Sequence, residues 1–242
     1  MMTTLRSALF LFGALLVTSV FGILVPLAGL GSAFAASHLA AVYCRVVLWW
    51  VERTCGITYV IEGWEHVPDF PVIVMAKHQS AWETLFLEGR LPPQCWIVKK
   101  ELLWLPFVGW GLMAVRCIAI DRSSGKTARD QIVEKGARRL KEGFWVTIFP
   151  EGTRIAPGKR GRYGIGGALL ACRTATPILP IAHNAGEVWG RYAFRKHPGT
   201  VKVVVGPLIR TEGRDPMAIN TELERWIESE MRRISPDRYA VA

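Results

Sequence analysis

Read for its alternation of apolar and polar positions, the chain divides near residue 55. From Ser7 to Cys44 there is no Asp, Glu, Lys or Arg, and those 38 residues exceed the roughly 20 apolar residues that cross a hydrocarbon core as a helix. A Gly29-Leu30-Gly31-Ser32 break separates a first apolar run, Ala8 to Leu27, from a second, Ala35 to Val51. The second ends in Trp49 and Trp50, side chains suited to a membrane–water interface. It also carries His38 and Arg45, which suit a helix lying in that interface as well as one that spans. One helix and a two-helix hairpin are therefore both compatible with the pattern. Arg6 before the run and Ala33-Phe34-Ala35 after it have the outline of a secretory signal, but the run is longer than the usual apolar core of one. The expectation is a retained membrane anchor over residues 1–55.

After Gly56 the period changes. Val72–Ala76, Trp96–Val98, Val115–Ile120, Phe144–Phe149, Ile178–Ile181 and Val201–Val205 are short and rich in β-branched residues, as buried strands are. Between them Lys126–Glu142 repeats small or apolar residues at Ala128, Ile132, Gly136 and Leu140 under a basic outer face. Met217–Arg233 places Ile219, Leu223, Trp226, Ile227 and Met231 on one side and its charges on the other, an amphipathic helix. Strand–helix alternation predicts an α/β domain over residues 56–242, with a mainly parallel sheet covered by helices.

Charge narrows the function. The chain carries a formal +10, and between Arg90 and Arg162 there are 15 Lys or Arg against 6 Asp or Glu. A basic middle implies an anionic partner. Nucleic acid is disfavoured, because no recognisable binding motif is present. Ser124-Gly125-Lys126-Thr127 is no phosphate loop, since Ile120 stands where its first glycine belongs. Five scattered cysteines without a CxxC pair argue against a disulfide framework and a structural zinc site.

Two motifs follow strands, where ligands of open α/β sheets gather. In Lys77-His78-Gln79-Ser80-Ala81-Trp82-Glu83 a histidine stands five residues before a carboxylate, a pair that can act as a general base and the group orienting it. On one ideal helix the two would lie about 140° apart, so His78 must precede the helix. Ser80-x-x-Glu83 supplies a capping-box start at Ser80, which is equally the bland reading of Glu83. No GxSxG elbow surrounds Ser80, which argues against a hydrolase nucleophile. In Phe149-Pro150-Glu151-Gly152-Thr153-Arg154, Pro-Glu-Gly makes a turn, and Arg154 offers a planar fork matched to a phosphate, with backbone amides exposed near Gly152.

Together the motifs resemble the glycerophospholipid acyltransferase family, nearest its 1-acylglycerol-3-phosphate branch. Lys99-Lys100-Glu101-Leu102, Pro106 to Trp110 and Ile118-Ala119-Ile120-Asp121-Arg122 look like that family's second block, and Pro177-Ile178-Leu179-Pro180 like its fourth. The resemblance implies direct acyl transfer from a thioester, acyl-CoA or acyl-carrier protein, to a lysophospholipid hydroxyl. It makes His78 the base, Glu83 its orienting group, and Lys100, Arg122 and Arg154 the holders of the acceptor phosphate. Glu151 would organise the loop or touch the acceptor, and Gly152 would offer backbone donors. No metal or bound cofactor is implied, and the domain would face the cytoplasm from a membrane. Two positions depart: the family usually has Asp at position 83 and often Asn at 77, where Lys77 would add positive charge beside the site. Other acceptors within the family, such as glycerol-3-phosphate, remain open. A basic lipid-binding module is the non-enzymatic alternative; it explains charge and anchor but not two motifs at strand ends.

Overall fold

The computed structural model describes residues 1–121 and 125–239. Its N-terminal segment is a helical hairpin, α1 (Met2–Gly31) and α2 (Ala33–Cys55). Ser32 leaves the helical region, and its hydroxyl accepts from the Ala35 N–H to start α2; this is the break legible in the sequence. The two helices run antiparallel: Thr18 bonds Tyr43 through their hydroxyls at 3.0 Å, and the Trp50 indole donates to the Phe10 carbonyl. Close approach is built in through small residues, for a methyl on Gly13 would overlap Trp50.

The remainder is one sheet with helices on both faces. Its strands are β1 (Ile57–Glu62), β2 (Ile73–Ala76), β3 (Gln94–Lys99), β4 (Ile118–Ile120), β5 (Trp145–Ile148), β6 (Ile178–His183) and β7 (Gly199–Val205). They lie in the order β1-β7-β6-β2-β5-β3-β4, and among these described strands the β6–β7 pair alone is antiparallel. The helices are α3 (Trp82–Arg90), α4 (Val108–Ala114), α5 (Lys126–Lys141), α6 (Gly166–Thr174) and α7 (Pro216–Ile234). One buried cluster joins a sheet face to α5, α6 and α7 through Ile132, Leu170 and Ile227. The other joins the opposite face to α3 and the hairpin through Phe86, Phe10 and Val51. The hairpin thus shares a core with the sheet.

Two sequence expectations change. Of Val115–Ile120 only the last three residues form a strand, because α4 runs to Ala114 and Arg116 turns the chain at positive φ. Strand β1 escaped notice because it is an edge strand whose exposed residues, Thr58, Val60 and Glu62, alternate with buried or half-buried ones.

The hairpin lies along the flank of the domain for its whole length. The Ser7 hydroxyl accepts from the Lys196 N–H, a methyl on Gly22 would overlap Phe107, and Phe34 stacks on Phe144. Its outer surface is apolar: Leu5, Phe12, Leu16, Ile23, Leu27 and Leu30 are exposed. Beside it, Trp104 (85% exposed), Leu105, Trp110 and Met113 extend the apolar surface onto the domain.

Candidate active site

Strands β2 and β5 are parallel neighbours, with Met75 opposite Ile148. Their carboxyl ends therefore release the two motifs side by side, although about 70 residues separate them in sequence. The Ile155 N–H donates to the His78 carbonyl at 2.8 Å, and Glu151 Oε2 accepts from the His78 N–H at 3.0 Å.

His78 precedes α3, as the pairing requires. Its Nδ1 lies 2.8 Å from Glu83 Oε1, and its ring stacks on Phe149 with centroids 3.8 Å apart. The same Glu83 oxygen accepts from the backbone amides of Gln79 and Ser80. Capping and pairing are thus one arrangement rather than alternatives. The cap itself is shifted: α3 starts at Trp82, and the Ser80 hydroxyl accepts from the Trp82 N–H, not from that of Glu83. Burial alone would push the Glu83 carboxyl up, but His183, His78 and the Ser80 amide outweigh it and hold it below the usual carboxylate value. An ionised Glu83 fixes the tautomer, with Nδ1–H donating and Nε2 left as the proton acceptor. Among the described residues, Glu83 Oε2 is buried without a hydrogen-bond partner. The longer side chain brings one oxygen to three donors and strands the other.

Lys77 corrects the sequence reading. It is fully buried, and its Nζ donates to Glu151 and Glu228 at 2.8 Å each, so its charge is balanced internally rather than presented to a ligand. Burial works against the ammonium, yet the two carboxylates raise its pKa overall. Both Glu151 oxygens are consequently engaged inside the protein, one by Lys77 Nζ and the other by the His78 N–H. Gly152 takes positive φ (64°) in the turn, and its N–H donates to the Phe149 carbonyl, so that amide is not presented as a donor.

His78 and Arg154 line one cavity of about 380 Å³ between the sheet, α3, α4 and the hairpin, within the range of small-molecule sites. Its wall is mostly apolar: Phe21 and Val25 come from α1, Leu85 from α3, Leu112 from α4, Trp96 from β3 and Phe149 from the exit of β5. Glu88 also faces it, its carboxyl held by the Trp96 indole and pushed up to about 7 by burial.

The proposed phosphate holders are not all gathered. Lys100 is half exposed and paired with Asp121 at the ends of β3 and β4, away from the cavity lining; Arg122 lies outside the described residues. Sequence reasoning missed Arg191, whose guanidinium donates to the Arg154 carbonyl and lies over the Tyr192 ring at 4.8 Å. The Tyr192 hydroxyl is held below its ordinary value by Arg191 first, with Arg154 and Lys99 adding to it. Arg154 thus brings a cation to the cavity lining, with Arg191 beside it. No group of three or more metal-ligating side chains occurs among the described residues.

A family profile described as Acyltransferase matches residues 59–184. The chain is 44% identical over 203 residues to the 1-acyl-sn-glycerol-3-phosphate acyltransferase of Pseudomonas aeruginosa, covering 83% of this chain and 79% of that one. It is 31% identical over 176 residues to the 1-acyl-sn-glycerol-3-phosphate acyltransferase alpha of Mus musculus, covering 71% and 62%. The crystal structure of the 1-acyl-sn-glycerophosphate (LPA) acyltransferase PlsC from Thermotoga maritima superposes with a TM-score of 0.80 over 95% of both chains, at 20% identity. At that identity the likeness speaks for the fold: a mostly parallel sheet with helices and two apolar N-terminal helices.

Proposed function

The chain belongs to the acyltransferase family, and from that premise we propose that it esterifies the sn-2 hydroxyl of 1-acylglycerol-3-phosphate to give phosphatidic acid, a step of phospholipid synthesis. The observation that carries the reading is His78, paired with Glu83, lining with Arg154 one mostly apolar cavity. His78 Nε2 takes the proton from the acceptor hydroxyl as its oxygen attacks the thioester carbonyl. Glu83 stabilises the imidazolium that forms. The tetrahedral intermediate expels the thiolate, which takes the proton back from His78. Phe149 supports the ring from one side, and the cavity takes a lipid chain, each buried methylene contributing about 0.8 kcal/mol.

Arg154, with Arg191 beside it, holds the acceptor phosphate; a terminal monoester carries close to two negative charges near neutral pH. A lysophospholipid with a phosphomonoester is therefore favoured over glycerol-3-phosphate, which cannot fill the cavity, and over lysophosphatidylcholine, which carries less charge and more bulk. Purified protein in nanodiscs, given a labelled acyl thioester and these three acceptors, tests this. Arg154→Ala is expected to raise KM for 1-acylglycerol-3-phosphate by roughly 10- to 100-fold, the worth of one charge-assisted contact of about 1.5–3 kcal/mol. The donor KM should change little. Preference for either other acceptor refutes the assignment, as does an Arg154→Ala effect confined to the donor.

The protein is membrane-associated, and residues 1–55 act as its anchor, with the domain over 56–242 carrying the chemistry. Since the hairpin is flanked by the domain throughout, its exposed apolar face and the Trp104–Met113 surface enter one side of the bilayer together. A cytosolic acyl-CoA or acyl-carrier protein as donor puts that side on the cytoplasm. Brominated phospholipids are expected to quench tryptophan emission from wild-type protein and to quench it clearly less in Trp104→Phe/Trp110→Phe. Equal quenching would remove this surface from the bilayer contact.

A further inference from the structure

Beneath the His78 loop lies a polar cluster larger than the acid–base pair requires. Lys77 Nζ bridges Glu151 Oε1 and Glu228 Oε1, and the Tyr163 hydroxyl donates to the same Glu228 oxygen at 2.9 Å. These groups come from three elements: the β2 loop, the β5 loop and helix α7, with Tyr163 on the approach to α6. We propose that Lys77, Glu228 and Tyr163 form a buried clamp that positions His78 through Glu151 and ties the proton-accepting histidine to the C-terminal helix. The proposal rests on the reading of His78 as the base.

Burying an ammonium and two carboxylates is costly, and well-packed apolar residues of similar volume often serve stability equally well. The cluster is therefore weakly explained by stability. What it does fix is the peptide unit joining Lys77 to His78. The Lys77 carbonyl accepts from His183 Nε2 at 2.7 Å, while the His78 N–H donates to the clamp through Glu151. Backbone amides on either side are taken elsewhere: that of Lys77 by the Ile181 carbonyl, and those of Gln79 and Ser80 by Glu83. Among the described residues, Glu151 is thus the one anchor of the His78 amide. A misplacement of about 1 Å at a reacting centre can cost roughly 10²-fold.

The charges around Glu151 give the clamp a signature. Lys77 faces it from its own loop, Glu228 from α7, Tyr163 from the loop before α6 and Tyr239 from the C-terminus. His183 from β6 and Glu83 from α3 lie beyond the His78 peptide, and the Arg160–Glu224 pair lies outside Tyr163. Burial pushes the Glu151 carboxyl up; Lys77 opposes this and Glu228 adds to it. Removing Lys77 should make Glu151 protonate at higher pH, and removing the Glu228 charge alone should make it protonate at lower pH.

Two variants read this. Lys77→Met/Glu228→Gln removes the cation with one anion, so that only one carboxylate is left unbalanced. Glu228→Gln keeps an acceptor for Lys77. The double variant is expected to lose about 10- to 100-fold in kcat with the acceptor KM within about threefold, and its acid limb should move to higher pH. Glu228→Gln should keep kcat within about threefold and move that limb to lower pH. Carbethoxylation of His78 by diethyl pyrocarbonate, followed by mass spectrometry, supplies a readout free of turnover and should be faster in the double variant. Wild-type kcat, pH profile and carbethoxylation rate in a folded double variant would overturn the clamp, as would equal loss in kcat and KM with the acid limb unmoved. If the double variant does not fold, the acid-limb shift in Glu228→Gln decides: to lower pH it supports the clamp, unmoved it overturns it. Wild-type protein that transfers acyl groups to none of the acceptors refutes the acyltransferase reading, and the carbethoxylation rates then still decide the clamp.

Discussion

His78→Ala is expected to lower kcat by about 10³- to 10⁴-fold, the upper part of the range for losing a positioned general base, in a protein that stays folded and membrane-bound. Alanine leaves neither a proton acceptor nor a group that can hold the acceptor hydroxyl in line with the thioester. The fold should tolerate it, since the loop is held through its backbone: Ile155 and Glu151 bind the His78 carbonyl and amide whatever the side chain. Single-turnover transfer from a labelled thioester, with circular dichroism as the control for folding, measures both halves. A folded variant with near-normal turnover would remove His78 from the chemistry.

The second large effect is expected at Glu83, and two substitutions separate its roles. Glu83→Gln keeps an oxygen for the amides of Gln79 and Ser80 but loses the charge that favours imidazolium and fixes its tautomer. Its kcat should fall by roughly 10²- to 10⁴-fold. Glu83→Asp keeps the charge on a shorter arm that cannot serve all three donors, and should lose under about tenfold. Equal activities would make Glu83 a cap and nothing more. The carboxyl also links stability to pH. Its folded pKa is depressed, so its stabilisation is complete above the unfolded value of about 4.3 and is lost as pH falls through the folded pKa. Thermal melts between pH 6 and pH 3 should show wild type losing more stability on acidification than Glu83→Gln.

The strands of the core were legible because they are short, apolar and β-branched, and the amphipathic helices because their period is regular. What periodicity marks is a face, not the polar members hidden in it. Glu228 follows Ile227 in a run of charges, Glu-Arg-Trp-Ile-Glu-Ser-Glu, and nothing local distinguishes it from the exposed Arg225. Its burial depends on Lys77, some 150 residues earlier. Lys77 itself read as a positive charge beside the site, because nothing local shows that it is buried and paired. The His78–Glu83 pair was legible because its members are local in sequence. Its union with the Arg154 loop depends on β2 lying next to β5, a matter of strand order that no stretch of either motif specifies. Arg191 has no motif around it and becomes visible only when its loop folds over Arg154.

The glycines that let α1 lie flat against its neighbours make the anchor more than a tether. Gly13 admits the Trp50 ring and Gly22 admits Phe107, and Phe21 and Val25, on either side of Gly22, line the same cavity as His78. A segment chosen only for its oiliness would satisfy the bilayer yet stand off from the domain by the width of a side chain. The N-terminus is therefore not interchangeable cargo-free hardware. An expression truncation meant to yield a soluble fragment would strip a wall from the lipid site, and a generic polyleucine replacement would return a protein that finds the membrane but no longer closes around its substrate.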